Sequence, residues 1–142
     1  MQIQKLQWQQ TLTIRQAVLW PEKPQEFCHV EDDEQALHYG VYIDQALVCV
    51  ASVYPEVVIS INSNNSARLR KFATLVAYQN QGVGSFVLSH IIDSLKTEGI
   101  SNLWCDARES AIEFYQRFGF QTEGQRFHKG NIPYFKMQMT IS

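Results

Sequence analysis

The feature that most constrains the fold is an amphipathic stretch in the second half of the chain, directly after a turn that contains two glycines. Six residues recur there at i, i+3, i+4, i+7, i+8 and i+12: Val83, Phe86, Val87, His90, Ile91 and Leu95. All of them except His90 are apolar. This spacing predicts one face of an α-helix of about four turns. Gly99 predicts the end of the helix, because glycine readily adopts the left-handed conformation that closes helices. We interpret His90, which lies on this face, as a hydrogen-bonded core histidine.

The remainder of the second half predicts a strand, a second helix and further strands. Leu103–Ala107 is a short apolar run, typical of a buried strand. Ser110 and Glu113 have the spacing of a capping box, which predicts the start of a second helix. We expect that helix to end at Gly119, and Tyr134–Ile141 alternates in the manner of a strand. The apolar face of the second helix is predicted to carry Ala111, Phe114, Tyr115 and Phe118.

The first half begins with a predicted helix and a long polar segment. Leu12–Leu19 has helix-like spacing of apolar residues, and the Trp20–Pro21 pair stops it because a residue before proline avoids the α conformation. Pro21–Gln35 is polar and predicts a loop, in which Glu31–Glu34 is a solvated acidic run.

Two strand predictions follow, joined as a hairpin. Leu37–Ile43 and Ala46–Tyr54 flank a short turn at Asp44–Gln45. His38 lies in the first of these strands, and a structural role there is favoured over one at a substrate cleft.

The next segments are a loop and a strand whose alternation is interrupted. Ser60–Ser66 is rich in turn-forming residues, and Ala67–Thr74 alternates as a strand does. Leu69 and Phe72 are separated by two residues instead of one, which is typical of a β-bulge. The full order of strands and helices predicts a mixed α/β sheet with helices packed against it.

Length and composition limit the class of protein. The 142 residues fit one domain, 1–142, and a hydrophobic fraction of 45% with 18% charged residues indicates a globular chain. The formal net charge is −2 without a dense run of Lys and Arg, which argues against a nucleic-acid partner. No apolar run reaches the roughly 18 residues of a membrane span. The first residues, MQIQKLQW, lack the apolar core of a signal peptide.

Cysteine and histidine spacing argues against a disulfide framework and against a metal site. Cys28, Cys49 and Cys105 are odd in number and widely separated, and the 4 histidines are also scattered. Cys49 and Cys105 lie in apolar strand-like segments, where we interpret them as buried, inert thiols. A reducing, cytoplasmic location is the expectation that follows.

The turn before the long helix, Gln79–Gly84 (QNQGVG), is the most informative motif. The first N–H groups of a helix have no partner inside it, and together with the positive end of the helix dipole they attract phosphate. Gly82 and Gly84 allow an anion to approach the backbone because they lack a Cβ atom. Gln79 and Asn80 offer additional side-chain donors. Taken alone, however, two glycines at a helix start are more often a matter of packing or turn geometry.

Two better-known phosphate motifs are excluded. The third glycine of the dinucleotide fingerprint would fall on Val87, and no Gly-Lys-Ser/Thr follows the turn as it would in a Walker A motif.

These motifs resemble those of the GNAT superfamily of N-acetyltransferases. QNQGVG is similar to the (Q/R)-x-x-G-x-(G/A) pyrophosphate loop of that family, preceded by RLRKFAT, and ARESAIEFYQRFGF resembles its second motif. Both occur in the family's order. IRQAVLWPEKP, HYGVYIDQALVCVASV and GNIPYFKM resemble the small bacterial ElaA-like branch of the superfamily.

The resemblance implies roles for particular residues. The backbone of Phe72 and Thr74 would hold the pantetheine arm of acetyl-CoA like an added strand. Tyr115 matches the tyrosine that lies near the thioester sulfur and is implied to protonate the departing thiolate. Arg108 would lie beside the cofactor arm, where many relatives have Asn or Gln. Tyr134 stands where a His often follows Ile-Pro, which argues against a His-based role. The implied pyrophosphate loop is Gln79, Asn80, Gln81, Gly82, Gly84 and Ser85.

The resemblance also implies a fold and a reaction. The fold is the α/β (α+β) fold of GNAT proteins, a mixed, mostly antiparallel twisted sheet flanked by helices. The reaction moves the acetyl group of acetyl-CoA by direct attack onto an amine of a small molecule or peptide, without a metal and without a membrane, in a monomer or homodimer. Asp106, Glu109 and Glu113 are candidate bases or amine-binding anions, and none of them is assigned.

Two other functions are compatible with the sequence. The chain could be a catalytically idle acetyl-CoA-binding sensor or partner module. It could also be an α/β interaction domain whose glycine turn is structural, since a tyrosine on an apolar helix face such as Tyr115 is by itself usually part of the core.

Overall fold

The computed structural model describes residues 1–56 and 65–141. Among these residues, three α-helices accompany one sheet: α1 (Leu12–Leu19), α2 (Val83–Thr97) and α3 (Ile112–Gln116). The strands are β1 (Gln2–Leu6), β2 (Leu37–Ile43), β3 (Ala46–Glu56), β4 (Ser66–Thr74), β5 (Asn102–Arg108), β6 (Gln121–Lys129) and β7 (Ile132–Thr140). Short 3₁₀ turns lie at Trp8–Thr11, Gln25–Cys28, Asp33–Gln35, Val76–Tyr78 and Glu109–Ala111.

The sheet is mixed and mostly antiparallel, as predicted. Its strands are ordered β1-β2-β3-β4-β5-β7-β6. The pairs β1–β2, β2–β3, β5–β7 and β6–β7 are antiparallel. β4 and β5 are parallel, with a ladder that covers Ser66–Arg68 against Asn102–Trp104. Within the described residues, no helix is long and apolar enough to cross a membrane.

The chain divides into two compact units. The first consists of Met1–Tyr54 and Leu69–Ile91, and the second of Pro55–Arg68 and Ile92–Ser142.

The first unit confirms the predicted first helix and hairpin. Helix α1 has the predicted bounds, Leu12–Leu19, and stops before proline. β2 also has the predicted bounds, and β3 runs two residues further than expected, to Glu56. Asp44 and Gln45, with φ of 50° and 70°, form the hairpin turn in the left-handed region that such tight turns need. A core cluster joins α1 to the sheet through Leu6, Ile14, Val50 and Ala73.

β4 contains the predicted interruption of its alternation, at Lys71. Arg70 stacks over the ring of Tyr54, and Ala73 packs with Val50, which lies on the same face of β3 as Tyr54. Residues three apart in β4 therefore share one face, whereas regular alternation places them on opposite faces. Lys71 lies between them with φ 54°, a left-handed conformation that is rare for a non-glycine residue. This left-handed residue is the structural cause of the interrupted alternation.

Helix α2 confirms the predicted element but corrects its buried face. The helix begins at Val83 as predicted, and Gly99 follows it with φ 79°. Phe86 is 38% exposed and His90 is also exposed, so the prediction that both face the core was wrong. Leu88, which the periodicity did not include, is fully buried. The buried face of the helix is therefore rotated slightly about the helix axis relative to the predicted one. It consists of Val83, Val87, Leu88, Ile91 and Leu95.

Two further expectations are corrected, and a third lies mostly outside the described residues. Ser110 does not cap a helix: it lies within a 3₁₀ turn, and α3 starts at Ile112 after Ala111, without a side-chain cap. The predicted loop Pro21–Gln35 contains two 3₁₀ turns, because Asp33 folds inward. In the predicted loop Ser60–Ser66, residues 60–64 lie outside the described residues.

In the second unit, β5 lies between β4 and β7, and its side chains alternate as predicted. Leu103, Cys105 and Ala107 are buried on one face, together with Phe120 and Met137.

Candidate functional site

The turn before α2 exposes backbone donors at an open glycine. Gly82 has φ 82°, and its carbonyl accepts the first helical hydrogen bond, from Phe86 N–H at 3.0 Å. The N–H groups of Gly82–Ser85 therefore have no partner inside the helix. Apart from the chain neighbours of Gly82, no described residue has a heavy atom within 4 Å of the position that a Cβ would take there. The space above this glycine is open, and it borders donors that suit an anion.

Two glutamines brace this turn. The side-chain amide of Gln79 donates to the Thr74 carbonyl at 2.9 Å, and that of Gln81 donates to the Ala77 carbonyl at 2.9 Å. Between them, Asn80 is left-handed, with φ 62°. The side chains thus hold the backbone in a curve, which leaves its N–H groups as the principal anion donors.

The end of β4 is fixed from the neighbouring strand. Thr74 Oγ1 donates to Cys49 Sγ at 3.3 Å, and Leu75 N–H donates to the Val48 carbonyl at 2.9 Å. Phe72 and Thr74 are half-buried on either side of the buried Ala73. The strand that leads into the glycine turn is therefore anchored at its last residues.

Tyr115 lies in a buried setting in the second unit. It is 8% exposed, and the centroid of its ring lies 5.2 Å from those of Phe114 and Phe120. Its hydroxyl donates a hydrogen bond to the Cys105 thiol. The pKa of Tyr115 is raised well above its ordinary value, mainly by burial and to a smaller extent by Cys105. The hydroxyl therefore stays protonated at physiological pH, which suits a proton donor and not a base.

Two of the three candidate carboxylates in the second unit form ion pairs, and the third, Glu113, is exposed. Asp106 accepts from Arg68 at 2.9 Å and lies 3.2 Å from the ammonium of Lys129. Glu109 pairs with Arg126 at 2.9 Å. Asp106 and Glu109 are therefore both held by cationic side chains of the protein itself.

Arg108 ends β5 and is exposed. In the antiparallel ladder it is opposite Tyr134 of β7. The two positions where the sequence departs from the GNAT pattern are therefore neighbours on adjacent strands.

A buried polar network in the first unit escaped the sequence reasoning. Arg15 is 0% exposed and Asp33 1%, and Arg15 binds Asp33 at two points, at 2.8 and 3.1 Å. Ser52 accepts from Arg15 at 2.9 Å, and Tyr54 donates to Asp33 at 2.5 Å. The ring of His38 lies between Ser52 and the Asp33 carbonyl, at 2.7 and 2.8 Å. The structural role expected for His38 is confirmed.

The network was missed because its members are far apart in the sequence. The available signal was Arg15, a charged residue beside Ile14 on the side of α1 that packs onto the sheet. The expectation that Glu31–Glu34 is a solvated run was wrong for Asp33, because this carboxylate neutralises a buried guanidinium.

The thiols are buried and free. Burial raises the pKa of Cys49 to about 11 and that of Cys105 to about 12, although hydrogen bonds from Thr74 and Tyr115 lower them in part. Burial also raises the pKa of Cys28. In residues 1–56 and 65–141, no group of three or more His, Cys, Asp or Glu side chains is arranged to hold a metal ion.

Comparison with known proteins decides the family. Residues 11–141 match the model of the acetyltransferase (GNAT) domain. The chain belongs to the GNAT acetyltransferase family.

Relatives agree with this assignment. The GNAT chain is 30% identical to the uncharacterized N-acetyltransferase YitI of Bacillus subtilis over 129 residues, which are 89% of this chain and 87% of YitI. A shorter match of 59 residues, at 39% identity, relates it to the ribosomal protein bS18-alanine N-acetyltransferase of Escherichia coli. That match covers 39% of this chain and 40% of the relative.

Solved GNAT structures share the fold. Escherichia coli ElaA superimposes with a TM-score of 0.78 at 18% identity, over 97% of this chain and 98% of ElaA. An aminoglycoside 6'-N-acetyltransferase complexed with coenzyme A gives 0.78 at 14% identity, over 100% and 98% of the two chains. The expected GNAT fold is confirmed, and the protein is a transferase.

The predicted site residues of this GNAT domain fall into two groups. Those predicted to bind the cofactor, apart from Arg108, lie in the first unit, within residues 72–85. Arg108 and Tyr115 lie in the second unit.

Proposed function

We propose that this GNAT domain, residues 1–142, binds acetyl-CoA and transfers its acetyl group to a primary amine of a small molecule or peptide. The observation that carries the proposal is the open N-terminus of α2 at Gly82, whose Cβ position has no neighbour within 4 Å. A pyrophosphate fits such a place because N–H donors and the helix dipole converge there.

The pyrophosphate is held by the backbone of the turn and of the first helical residues. Gln79 and Gln81 keep the turn curved through their hydrogen bonds to Thr74 and Ala77. The N–H groups of Gly82, Gly84 and Ser85 face the anion, and Asn80 contributes its side-chain amide.

The backbone of Phe72 and Thr74 receives the pantetheine arm as an added strand. A backbone N–H at the end of this strand stabilises the oxyanion that forms when the amine attacks the thioester. The anchoring of Thr74 to Cys49 and of Leu75 to Val48 supports this role, since an oxyanion donor must be held in place.

The amine nitrogen forms a bond to the acyl carbon, the carbon–sulfur bond breaks, and Tyr115 supplies a proton to the departing sulfur. The amine loses one proton to solvent, from which Tyr115 recovers its own, so that the products are the amide and the free thiol. The raised pKa of Tyr115, caused by burial, keeps its proton available across the physiological range.

Direct attack is favoured over a covalent enzyme intermediate. A cysteine nucleophile acts as a thiolate, and burial raises the pKa of Cys28, Cys49 and Cys105 alike. Each of these thiols is 2% exposed or less.

The acceptor class rests on the relatives. One acts on the alanine of ribosomal protein bS18 and another on the 6' position of an aminoglycoside. Both are amine acetylations, and they support an amine acceptor for this chain.

Thermal melting with and without acetyl-CoA tests the proposal, with dephospho-CoA and a nicotinamide dinucleotide as controls. A ligand at about 100 times its Kd adds about 2.7 kcal/mol of stability, a rise of several degrees. A rise with acetyl-CoA, followed by thiol release with an alanine-terminated peptide or an aminoglycoside, supports the enzyme. No rise at saturation overturns the proposal. Binding without thiol release across an amine panel assigns the chain to the idle sensor class instead.

A further inference from the structure

We propose that Phe86 is a stacking platform for the adenine base of the acyl donor, so that the protein selects nucleotide-bearing thioesters over thioesters of phosphopantetheine alone. This inference rests on the proposed function and adds to it a residue that sets donor specificity.

The first observation is the exposure of an aromatic ring. Phe86 is 38% exposed in the first turns of α2, although its neighbours Val87 and Leu88 are fully buried. A large apolar ring gains little by standing in water, and elsewhere in this helix the apolar residues Val83, Ile91 and Leu95 are at least 98% buried.

The second observation is the helical spacing between Phe86 and the open glycine. Gly82 and Phe86 are four residues apart, and the Phe86 N–H donates to the Gly82 carbonyl at 3.0 Å. Residues at i and i+4 lie one above the other on the same face of a helix, and helical side chains lean toward the N-terminus. We therefore expect the Phe86 ring to lean toward the turn that presents the free N–H groups.

The third observation is the open space at the glycine. Among the described residues, and apart from the chain neighbours of Gly82, none has a heavy atom within 4 Å of the position that a Cβ would take there. Val76, in the 3₁₀ turn that precedes the glycine turn, is 77% exposed, so exposed apolar side chains precede and follow the turn along the chain.

The occupant that fits is a planar base joined to a phosphate. The phosphate binds the N–H groups at the start of α2, and the purine stacks on Phe86, because every nucleobase offers a π-face to an aromatic ring. A phosphopantetheine thioester carries the phosphate but has no base to stack.

Equilibrium binding with two probes tests the inference. Acetyl-CoA and S-acetyl-4'-phosphopantetheine are titrated into the wild-type protein, Phe86→Ala and Phe86→Tyr. Ile132→Ala is the control, since Ile132 on β7 is also an apolar residue with 38% exposure.

Phe86→Ala is expected to weaken acetyl-CoA binding by about fivefold to thirtyfold and to leave the S-acetyl-4'-phosphopantetheine Kd unchanged. Phe86→Tyr, which keeps a ring, and Ile132→Ala are expected to bind acetyl-CoA as the wild type does.

The outcomes separate this inference from the proposed function. If the wild-type protein does not bind acetyl-CoA, the proposed function fails. If the wild-type protein binds acetyl-CoA, but Phe86→Ala weakens the binding of both probes equally or of neither, only the stacking role of Phe86 is overturned. Circular dichroism of each variant shows whether the fold is retained. If Phe86→Ala unfolds, Phe86→Leu, which keeps an apolar side chain but has no ring, provides the measurement and is expected to weaken acetyl-CoA binding alone.

Discussion

Arg15 and Asp33 form a two-point ion pair inside the first unit, with N···O distances of 2.8 and 3.1 Å and no more than 1% exposure of either residue. The pair joins α1 to the segment between α1 and β2. Val30 N–H also donates to Asp33 at 2.8 Å, so this carboxylate organises its own loop as well.

Replacing Asp33 is expected to destabilise the protein strongly. Asp33→Asn leaves the buried Arg15 guanidinium without a counter-charge, which typically costs about 3–5 kcal/mol. Urea unfolding followed by circular dichroism measures the change. Asp32→Asn is the matched control, because Asp32 is exposed and its loss should change stability by about 0.5 kcal/mol or less. Equal effects of the two variants would contradict the central role of the pair.

Stability is expected to fall in acid through the same network. Burial raises the pKa of Asp33, but hydrogen bonds from Arg15, Tyr54 and Val30 outweigh it and hold the pKa at about 2, below its ordinary 3.8. The unfolded chain then takes up the proton first, so the contribution is complete above pH 3.8 and is lost as the pH falls toward 2. The contribution of Asp33 to the free energy of unfolding amounts to about 2 kcal/mol.

His38 adds a second loss of stability, which occurs at higher pH. Burial lowers its pKa below the ordinary 6.5, so its contribution is present above pH 6.5 and declines below it. Unfolding free energies between pH 8 and pH 2 test both steps. His38→Gln is expected to remove the upper step and Asp33→Asn the lower one. A free energy of unfolding that stays constant between pH 7 and pH 2 would contradict both assignments.

Gly82→Ala is expected to weaken acetyl-CoA binding by about tenfold or more, because it strains a φ of 82° and places a methyl group where the phosphate approaches. Gly99→Ala is the control, since Gly99 has φ 79° and equally open surroundings. Both variants should lose about 1–2 kcal/mol of stability. Calorimetric titration of the two compares binding directly, and an equal loss of affinity would show that strain alone is responsible.

Tyr115→Phe is expected to bind acetyl-CoA normally while kcat falls by about a hundredfold or more, since a general acid contributes on that scale. Tyr42→Phe, which removes the hydroxyl of a tyrosine in β2, is the control. Thiol release at saturating acetyl-CoA gives kcat, and melting gives binding. Unchanged turnover would remove the catalytic role of Tyr115 and leave the fold and the donor site intact.

The three thiols are expected to resist modification in the folded protein. All are buried, and the pKa of Cys105 is raised to about 12. Ellman's reagent should therefore titrate almost no thiol in buffer and all three in denaturant. A fast-reacting thiol in the native protein would contradict the buried placement of these residues.

Local signals explain what the sequence predicted well. The start of α2 at Val83 and the bounds of β2 follow from periodicity and from turn residues, which act between neighbours in the chain. The Lys71 interruption was visible for the same reason.

Features that depend on distant partners were not predictable in this way. Asp33 looks like one more acid in a polar run, and its burial depends on Arg15, 18 residues earlier. The burial of Leu88 and the exposure of Phe86 depend on how α2 is rotated against its neighbours, which a 3.6-residue period fixes only to within about one residue step. Ser110 had an acceptable capping pattern, but the preceding backbone formed a 3₁₀ turn instead.

The left-handed Lys71 also determines which insertions and deletions this strand can tolerate. Arg70 lies on the face of Tyr54, whereas Thr74 lies on that of Cys49. Regular alternation would place two residues four apart on the same face. Gaining or losing one residue between Arg70 and Thr74 would therefore turn the residues that follow to the opposite face of the sheet, whereas a substitution at one position changes only the face on which that side chain lies.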